Sequence, residues 1–313
     1  MFEHKDYIYT VYKEKSFTKA ANKLFISQPA LSAIIKKTEE KLNIQIFDRS
    51  TFPISLTQEG KYYIETIEKI YALEKEYNNK VIDLANLNAG SFTVSGAHFI
   101  SSFVLSKIIQ AYLEKYPKIQ IGLVESNSKE LEKYLLDESV DLIFDYGYNN
   151  DNINADLLLN ETVVLSVPAT FKINEFLKDY ALTSSDFHSG KHLSQDCPSV
   201  DLSLFKDENF ILLKRGNNMG RFAFELCEEA GFTPKCSIYL DQLMTSYNMS
   251  LLGMGIALVS DTLIKAVSPS DDLLFYKINS QNTTRQLYIL SKKNKHLNRA
   301  MLKFIQTAKE IYQ

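Results

Sequence analysis

The stretch from Ser16 to Gly60 restricts the fold of this 313-residue chain most strongly, because it combines two amphipathic helix patterns with their start signals. The first pattern places apolar residues at i, i+3, i+4 and i+7, namely Phe17, Ala20, Ala21 and Leu24. Thr18 is expected to cap the start of this helix through its hydroxyl. Ser27 is expected to cap a second helix, and Pro29 fits its first turn, where no backbone N–H is required. Two short helices joined by a tight turn predict a helix-turn-helix.

The second helix is expected to bury Leu31, Ile35 and Leu42 and to expose polar side chains from its first two turns. In a helix-turn-helix this helix enters the major groove of DNA, where glutamine and serine contact base edges and lysine binds phosphates. The candidate DNA-binding residues of the motif are Thr18, Ser27, Gln28, Pro29, Ser32, Ala33, Lys36 and Lys37. A small helical bundle without a DNA role is the alternative, since this geometry also occurs in proteins that do not bind DNA.

After Phe47 the pattern predicts two short strands joined by a turn, with Pro53 unable to donate to a strand ladder. The motifs of this region stand in the order and spacing of the LysR-type transcriptional regulators, which the chain therefore resembles. These motifs are Ser16-Phe17-Thr18, Ala20-Ala21, Ser27-Gln28-Pro29-Ala30-Leu31-Ser32, Phe47-Asp48-Arg49 and Leu56-Thr57-x-x-Gly60. The resemblance implies that the two strands form a wing.

The resemblance further implies that Arg49 contacts a DNA phosphate, and we add Thr51 and Pro53 of the wing as candidate DNA-binding residues. The structural alternative for Arg49 is an ion pair with Asp48 or Glu39. The sequence departs from the family after Ser32, where Ala33 and Ile34 replace residues that are usually polar. We therefore expect Gln28, Pro29, Ser32 and the shape of the DNA to carry more of the recognition.

A long helix is predicted over residues 61–88, because this segment has no proline and is rich in helix formers. Its apolar residues alternate at +4 and +3, namely Tyr63, Ile67, Ile70, Tyr77, Val81 and Leu84. Such a heptad seam suits a two-stranded coiled coil, and the resemblance implies that this helix forms a dimer. The alternative is an amphipathic helix that packs on its own domain. Residues 86–90 are expected to break the helix and open a hinge.

From Ser91 onward strands alternate with helices, which predicts parallel sheets with crossover helices. The body also resembles the LysR-type effector domain at Pro117, Asp141, residues 227–234 and residues 253–257. The predicted fold is an N-terminal all-α winged helix-turn-helix with a long linker helix, followed by a C-terminal α/β effector domain of two lobes that resembles a periplasmic binding protein. The predicted bounds are 1–60 for the DNA-binding domain (motif core 18–37), 61–88 for the linker, 91–313 for the effector domain, 91–161 and 268–313 for its first lobe, and 162–267 for its second.

The resemblance implies that a small effector binds between the lobes, at strand ends and helix starts. The candidate effector-binding residues are His98, Phe99, Ser101, Ser102, Asn127, Ser128, Asp145, Tyr146, Gly216, Asn217, Asn218 and Thr245. Free N–H groups at helix starts favour anions, so we expect a small carboxylate or a similar polar metabolite. Ser128 and Asn217 could instead simply cap helices, and His98 could be a core histidine. Ser128 is expected to cap a helix that ends at Leu135.

The charge of the chain is unevenly distributed. The net formal charge is −3, but residues 1–62 hold ten Lys or Arg against seven Asp or Glu, so the head carries +3 and the rest −6. A basic head on an acidic body suits a DNA-reading module attached to a domain with another role. The N-terminus has no signal pattern and no apolar run approaches the length of a membrane span, so we expect a cytoplasmic protein without a membrane partner.

Other chemistry finds little support in the sequence. The three cysteines, Cys197, Cys227 and Cys236, suggest reduced thiols, and Met219 stands where peroxide-sensing members of the family carry their cysteine. His188, His192 and Cys197 do not complete a zinc site. No catalytic constellation or phosphate loop is evident, so we expect no enzymatic activity, no metal and no cofactor.

The partners that follow are double-stranded operator DNA, a small-molecule effector, RNA polymerase and further copies of the chain, as a homodimer or a homotetramer of two dimers. The alternative function is a solute-binding module whose head binds DNA without specificity, which Ala33 and Ile34 favour.

Overall fold

The computed structural model describes residues 2–51, 53–83, 90–147 and 150–313. The chain divides into two compact units, Met1–Leu84 and Ala85–Gln313, which we call the head and the body. Within the described residues no helix is both long enough and apolar enough to cross a membrane. The predicted hinge at residues 86–90 lies outside the described residues except for Gly90.

The head is a three-helix core with a small wing and a long helix. Its elements are α1 Lys5–Glu14, α2 Phe17–Lys23, α3 Gln28–Leu42, β1 Phe47–Asp48, β2 Ser55–Leu56 and α4 Gln58–Asp83. Strands β1 and β2 pair antiparallel, as the predicted wing requires. The core buries Ile8, Val11, Leu31 and Ile35 completely, together with Ala20, whose small side chain lets α2 approach α3 closely.

The start of α2 differs from the prediction. Ser16, not Thr18, is the N-cap: its backbone is extended, and its hydroxyl accepts the N–H of Lys19 at 3.4 Å. Thr18 lies inside the helix because the helix already begins at Phe17. The predicted cap of α3 is confirmed, since the Ser27 hydroxyl accepts the N–H of Ala30 at 3.3 Å.

The start of α4 explains the Thr57-x-x-Gly60 motif. The Thr57 hydroxyl accepts the N–H of Gly60 at 2.9 Å and donates to the carbonyl of Gln45 at 2.5 Å, so it ties the helix start to the segment before the wing. A Cβ atom on Gly60 would lie 2.0 Å from the carbonyl oxygen of Ile46. Only glycine lets the helix start pass this close to the backbone.

The apolar residues of the heptad pattern predicted for the long helix are buried near its start and exposed further along. Tyr63 and Ile67 are buried in the core of the head. This part of the helix therefore packs on its own domain, as the alternative to a coiled coil predicted. Tyr77 is exposed, while the side chain of Val81 and all of Leu84 lie outside what the structure describes. Three apolar residues of α4 are exposed, namely Tyr62, Leu73 and Tyr77. They are eleven and four residues apart, which places all three on one face of the helix.

The body contains nine strands in the described ranges. They are β3 Ser91–Gly96, β4 Gln120–Glu125, β5 Leu142–Tyr146, β6 Ile153–Pro168, β7 Asn209–Leu213, β8 Lys235–Leu240, β9 Ala257–Ser260, β10 Leu273–Lys277 and β11 Thr284–Lys292. In the first lobe β3 runs parallel to β4 and β5, and β11 runs antiparallel between β5 and the N-terminal part of β6. In the second lobe the C-terminal part of β6 pairs antiparallel with β9 and β10.

Strand β6 is continuous through both lobes, so the boundary predicted between residues 161 and 162 lies inside a strand. Parallel strands β7 and β8 complete the second lobe, joined to it by a bridge between Phe210 and Ile256. The pairing of β10 with β6 adds residues 273–277 to the second lobe, although the prediction assigned them to the first.

Helices cover both lobes. They are α5 His98–Ile100, α6 Ser106–Lys115, α7 Ser128–Leu136, α8 Ile173–Phe176, α9 Ser184–His188, α10 Asn218–Glu229, α11 Leu243–Leu251, α12 Asp261–Ala266 and α13 Arg299–Tyr312, with a π-helical segment Ser101–Leu105 between α5 and α6. The return of α13 to the first lobe is observed: Phe304 packs edge-on against Phe92 at 5.2 Å, and the Tyr112 hydroxyl donates to the carbonyl of Ala300.

The unusual segment 172–204 contains α8, α9 and three 3₁₀ turns, Lys178–Tyr180, Lys191–Leu193 and Leu202–Phe205. His192 is buried, stacks on Phe187 and lies 3.1 Å from the carboxylate of Asp261 at the start of α12. Asp261 also accepts the Thr162 N–H and the Lys265 ammonium. This polar cluster holds the segment on the second lobe.

Candidate nucleic-acid interface and interlobe cleft

Helix α3 presents its first two turns to solvent. The side chains of Ser27, Gln28, Pro29, Ala33, Lys36 and Lys37 are exposed, and Ser32 is half-buried. Thr18, one helix earlier, is also exposed. Leu31 and Ile35 fasten the opposite face to the core. The arrangement offers an amide, a hydroxyl and two ammonium groups on a rigid support, as base and phosphate contacts require.

Arg49 links the wing to α3. One guanidinium nitrogen lies 3.1 Å from the carboxylate of Glu39, another lies 3.3 Å from the Ser32 hydroxyl, and the group stacks over Phe17 at 5.1 Å. The alternative of an ion pair with Glu39 is therefore observed, while Arg49 remains partly exposed. Its contact with DNA phosphate stays a prediction.

The turn of the wing is held by local hydrogen bonds. The Asp48 carboxylate accepts the N–H and the hydroxyl of Ser50, which hold its pKa below the usual range. The Thr51 hydroxyl lies 3.0 Å from the Ser55 hydroxyl, and Thr51 and Pro53 are both exposed.

In the body a cleft separates the two lobes and has two connected chambers. The inner chamber, about 90 Å³, is lined by Ala97, His98, Phe99, Ile100, Asn127, Asp145, Tyr146, Leu213, Gly216, Asn217, Asn218, Met219, Asp241, Gln242, Leu243 and Arg285. The outer chamber, about 550 Å³, shares many of these residues and adds Glu125, Ser126, Glu130 and Lys214. The cleft therefore joins the ends of β3, β4 and β5 to the start of α10.

Most of the predicted effector residues lie on this cleft, namely His98, Phe99, Asn127, Asp145, Tyr146, Gly216, Asn217 and Asn218. Ser101, Ser102 and Thr245 are not among the described residues that line it. Ser101 is buried and donates to the carbonyl of Gly96, so its hydroxyl serves the helix start. Ser102 and Thr245 are exposed elsewhere.

The caps at the cleft also differ from the prediction. Asn127, rather than Ser128, caps α7 by accepting the N–H of Glu130 at 3.2 Å, and the side chain of Ser128 lies outside what the structure describes. Helix α10 begins at Asn218 and Asn217 is its cap, which is the alternative role considered for Asn217. A Cβ atom on Gly220 would lie 2.2 Å from the carbonyl oxygen of Lys214, so glycine is needed where the helix start packs on the preceding loop.

A histidine–carboxylate contact on the first lobe and an ion pair on the second lobe line the mouth of the cleft. His98 Nδ1 lies 3.0 Å from the Glu125 carboxylate, and the Lys214 ammonium lies 2.7 Å from Asp241. All four side chains are about half exposed or more, so solvent screens these pairs and each contributes little to stability. Across the cleft the Asn218 amide donates to the carbonyl of Tyr146 at 3.4 Å.

Deeper in the cleft the groups are buried. The Arg285 guanidinium lies 3.7 Å from the centre of the Tyr146 ring and 3.5 Å from the Glu161 carboxylate. Burial raises the pKa of Glu161 above its ordinary value, although Arg285 and Tyr146 oppose the shift. Burial also raises the pKa of Tyr146 well above its usual range, and the nearby Glu161 adds to this effect.

Comparison with known proteins settles the family. Residues 2–61 match the model of the bacterial regulatory helix-turn-helix protein, lysR family, and residues 85–313 match that of the LysR substrate binding domain. The chain belongs to the LysR family. It is thus a LysR-type transcriptional regulator with an effector-binding domain.

Relatives of this LysR-type regulator extend over nearly its whole length. It is 25% identical over 309 residues to the uncharacterized HTH-type transcriptional regulator YcgK of Bacillus subtilis, covering 97% of this chain and 93% of that protein. It is 28% identical over 306 residues to a probable RuBisCO transcriptional regulator of Phaeodactylum tricornutum, covering 95% and 92%.

Solved structures of the same family share the fold. CbnR, a LysR family transcriptional regulator, has a TM-score of 0.65 at 17% identity and covers 100% of this chain and 99% of its own. A full-length OxyR variant from Pseudomonas aeruginosa has a TM-score of 0.66 at 19% identity, with coverages of 97% and 92%.

Several cleft residues of this regulator were not predicted from the sequence, among them Asp241, Gln242 and Arg285. The sequence did contain an indication that Arg285 is buried. Arg285 lies two and four residues before Leu287 and Ile289, so all three side chains point to the same side of the strand, and both apolar ones are buried. A charged residue at an inward position of a strand indicates a buried partner or a site.

The loose histidine and cysteine set of this LysR-type protein has other roles. His188 Nδ1 lies 2.9 Å from the carbonyl of Ser184, and His192 pairs with Asp261. Within the described ranges no group of three or more metal-binding side chains is found.

Proposed function

We propose that this regulator binds an operator through α3 and its wing, and that a small molecule in the interlobe cleft modulates this binding or the contact with RNA polymerase. The observation that carries the proposal is the polar, exposed N-terminal face of α3, fixed to a packed core. One of the similar structures is described as full-length CbnR complexed with target DNA, which supports this use of the fold.

On the DNA side, we assign the base contacts to Gln28 and Ser32 and the phosphate contacts to Lys36, Lys37 and Arg49. The Gln28 amide can pair with adenine in the major groove. Ser32 and Arg49 are already hydrogen-bonded to each other, so the helix and the wing would approach DNA as one preformed surface. Thr18, Ser27, Pro29, Ala33, Thr51 and Pro53 are the remaining proposed contacts, through shape and backbone.

On the ligand side, the cleft fits a small effector because it is concave and mixes apolar and polar groups. A ligand that contacts both lobes favours one lobe arrangement over another by its differential affinity. We place the protein in the cytoplasm as a homodimer or a homotetramer, and we assign it no catalytic activity.

The test is binding of the full chain to DNA upstream of its own gene, in rising salt and against competitor DNA. We expect a footprint over two or more half-sites. Gln28→Ala should weaken specific binding by about 1–3 kcal/mol, whereas Lys37→Ala should weaken all DNA binding and reduce the salt slope by about one. Gln306→Ala, an exposed change on α13 of the body, is the matched control.

The contrary outcome is binding that competitor DNA erases equally well and that Gln28→Ala leaves unchanged. This outcome would favour the second function, a solute-binding module with a non-specific head. This second function is favoured by Ala33, an exposed apolar residue in the middle of the α3 surface that we propose contacts DNA.

A further inference from the structure

Three buried polar side chains meet where β11 lies opposite β6, at the inner end of the cleft. Arg285 on β11 is the register partner of Glu161 on β6, and the ring of Tyr146 on β5 packs against the guanidinium. Arg285 and Glu161 are 6% and 1% exposed. Glu161 lies on β6, the strand that is continuous through both lobes.

The polar atoms of this cluster are incompletely paired. By hydrogen-bond geometry, both carboxylate oxygens of Glu161, the Nε of Arg285 and the hydroxyl of Tyr146 are buried without a partner among the described residues. The Tyr146 hydroxyl and Thr262 still lie close enough to Glu161 to favour its ionised form and so to lower its pKa, but their geometry falls short of a formed hydrogen bond. The ion pair spans 3.5 Å, whereas a well-formed arginine–carboxylate pair is bidentate at about 2.8 Å. Buried polar groups are nearly always hydrogen-bonded, so a cluster left open beside a cavity points to a missing partner.

Arg285 faces both lobes and the inner chamber. One guanidinium nitrogen lies 3.3 Å from the Met219 sulfur on α10, and thioether sulfur is only a weak acceptor. Among the described residues lining the inner chamber, Arg285 alone carries a guanidinium or ammonium group. The acids of the chamber are already engaged: Asp241 pairs with Lys214, and Asp145 accepts the N–H of Tyr146.

We propose that the effector carries a carboxylate, that Arg285 binds this group, and that it replaces Glu161 as the partner of Arg285. This inference rests on the proposed effector role of the cleft. The inner chamber, about 90 Å³, holds a carboxylate on a short apolar stem, and the outer chamber takes the remainder of a larger molecule. Phe99, Ile100 and Leu243 supply the apolar wall.

Replacement of Glu161 by the ligand carboxylate as the partner of Arg285 should change the protonation state of Glu161. Two carboxylates beside one buried guanidinium cannot both stay ionised, so Glu161 takes up a proton when the ligand binds. The charged and titratable groups facing Glu161 are Arg285 on β11, Tyr146 on β5 and Asp261 on α12. Asp145 on β5 acts on Tyr146. Burial, which already raises the pKa of Glu161, favours this uptake. Binding therefore strengthens as pH falls, and the gain levels off at the raised pKa of Glu161 in the free protein.

The experiment uses the full chain with acetate, propionate, butyrate and benzoate, each against its neutral amide and against sodium chloride at equal ionic strength. Thermal unfolding and titration calorimetry measure binding. We expect the acids, but not the amides, to stabilise the protein. Glu161→Gln removes the competing carboxylate, so it should bind the same acids about tenfold tighter. Calorimetry in two buffers of different ionisation enthalpy should show uptake of about one proton by the wild type and none by Glu161→Gln.

Removing Arg285 alone would leave Glu161 buried without its cation, so the double variant Arg285→Met with Glu161→Gln is the test of the binding group. It should fold and lose the preference for acids over amides. The matched control is Arg221→Met, an exposed arginine on α10, which should bind the acids as the wild type does.

The outcomes separate this inference from the proposed function. If the double variant keeps its preference for acids, or if no acid binds either the wild type or Glu161→Gln, the inference is overturned. Specific operator binding, measured separately, would still support the regulator. If the acids bind through Arg285 but no specific operator binding is found, the proposed function fails and the assignment of Arg285 stands.

Discussion

The carboxylate of Glu39 on α3 lies 3.1 Å from the guanidinium of Arg49, which follows the first strand of the wing. The same carboxylate accepts the N–H groups of Ile46 and Phe47 at 2.8 and 3.2 Å. One buried acid on α3 therefore accepts hydrogen bonds from three donors, which lie just before, within and just after the first strand of the wing.

Replacing Glu39 by alanine should destabilise the head. The two buried N–H groups would lose their acceptor, which costs about 1–3 kcal/mol for each unsatisfied group. We expect the free energy of unfolding of the head to fall by about 2–4 kcal/mol, measured by calorimetry on the full chain. The neighbouring Glu40→Ala removes only an exposed pair with Lys36 and should change it by less than about 0.5 kcal/mol. Equal effects from both variants would contradict this role of Glu39.

Gly60→Ala should also unfold the head more readily. The added Cβ atom would lie 2.0 Å from the Ile46 carbonyl oxygen, which belongs to the backbone and cannot rotate away. We expect a loss of about 3 kcal/mol or more in the same calorimetric measurement. At Gly216 a Cβ atom meets nothing within 4 Å, so Gly216→Ala should be close to neutral for stability. A Gly60→Ala protein as stable as the wild type would show that α4 can shift.

The cluster around Asp261 predicts a pH dependence. Burial alone would raise the pKa of this carboxyl, but the hydrogen bonds from His192, Lys265 and the Thr162 N–H hold it below its ordinary value. Because the folded pKa is lowered, the carboxylate stabilises the fold above about pH 4, and this stabilisation is lost as pH falls through the folded pKa.

Asp261→Asn should therefore lower the unfolding temperature at pH 7, and the difference from the wild type should shrink as the pH is brought below about 4. The exposed Asp271→Asn is the control, and it should follow the wild type at every pH. A difference that stays constant with pH would mean that the charge of Asp261 contributes nothing.

The three cysteines should react at different rates. Burial raises the pKa of Cys227 to about 12, and Cys197 is also buried, while Cys236 is partly exposed. An aromatic disulfide reagent at about pH 8 should modify one thiol quickly in the native protein, because the thiolate is the reactive form. Cys236→Ser should abolish this fast phase and Cys227→Ser should leave it. The reverse pattern would show that the helix carrying Cys227 opens readily.

The exposed apolar face of α4 predicts where copies of the chain meet. Tyr62, Leu73 and Tyr77 are each more than 60% exposed, which suits residues that a second helix covers. Leu73→Glu should shift the protein toward the monomer in sedimentation experiments. Leu204→Glu changes an exposed leucine of the body and serves as the control. If both variants sediment as the wild type does, the dimer forms elsewhere.

Periodicity predicted the helix-turn-helix and the alternation of strands and helices in the body, because α3 and β5 each show their burial directly in the residue pattern. The parallel pairing predicted for the body is wrong for β11, because this strand runs antiparallel to β5 and β6. The lobe boundary was predicted between residues 161 and 162, although residues 153–168 form one strand. Residues 153–161 mix acids and amides with leucines, so their sequence shows no clear strand pattern. Those residues form strand because β11 pairs with them along their length, and pairing with a distant strand leaves little trace in local sequence.

Eight of the twelve candidate effector residues, which were placed at strand ends and helix starts, lie on the cleft, but Arg285 was not among the candidates. It lies in the middle of the cleft only because β11 returns to pair with β6, more than a hundred residues earlier in the chain. The caps were misplaced by one or two residues at Thr18 and Ser128, because each neighbouring polar residue could serve equally well.

Strand β6 has sixteen residues, a length of about 50 Å, and it is hydrogen-bonded to the first lobe at one end and to the second lobe at the other. A strand held in this way cannot act as a flexible hinge, because a large rotation would break its hydrogen bonds to the neighbouring strands. A change in the arrangement of the lobes must therefore be taken up along the strand itself, as a change of its twist. A ligand bound beside Glu161, near the middle of β6, would change the twist of this strand and so the angle between the two lobes. We therefore expect this regulator to respond to its effector through a small rotation of one lobe against the other.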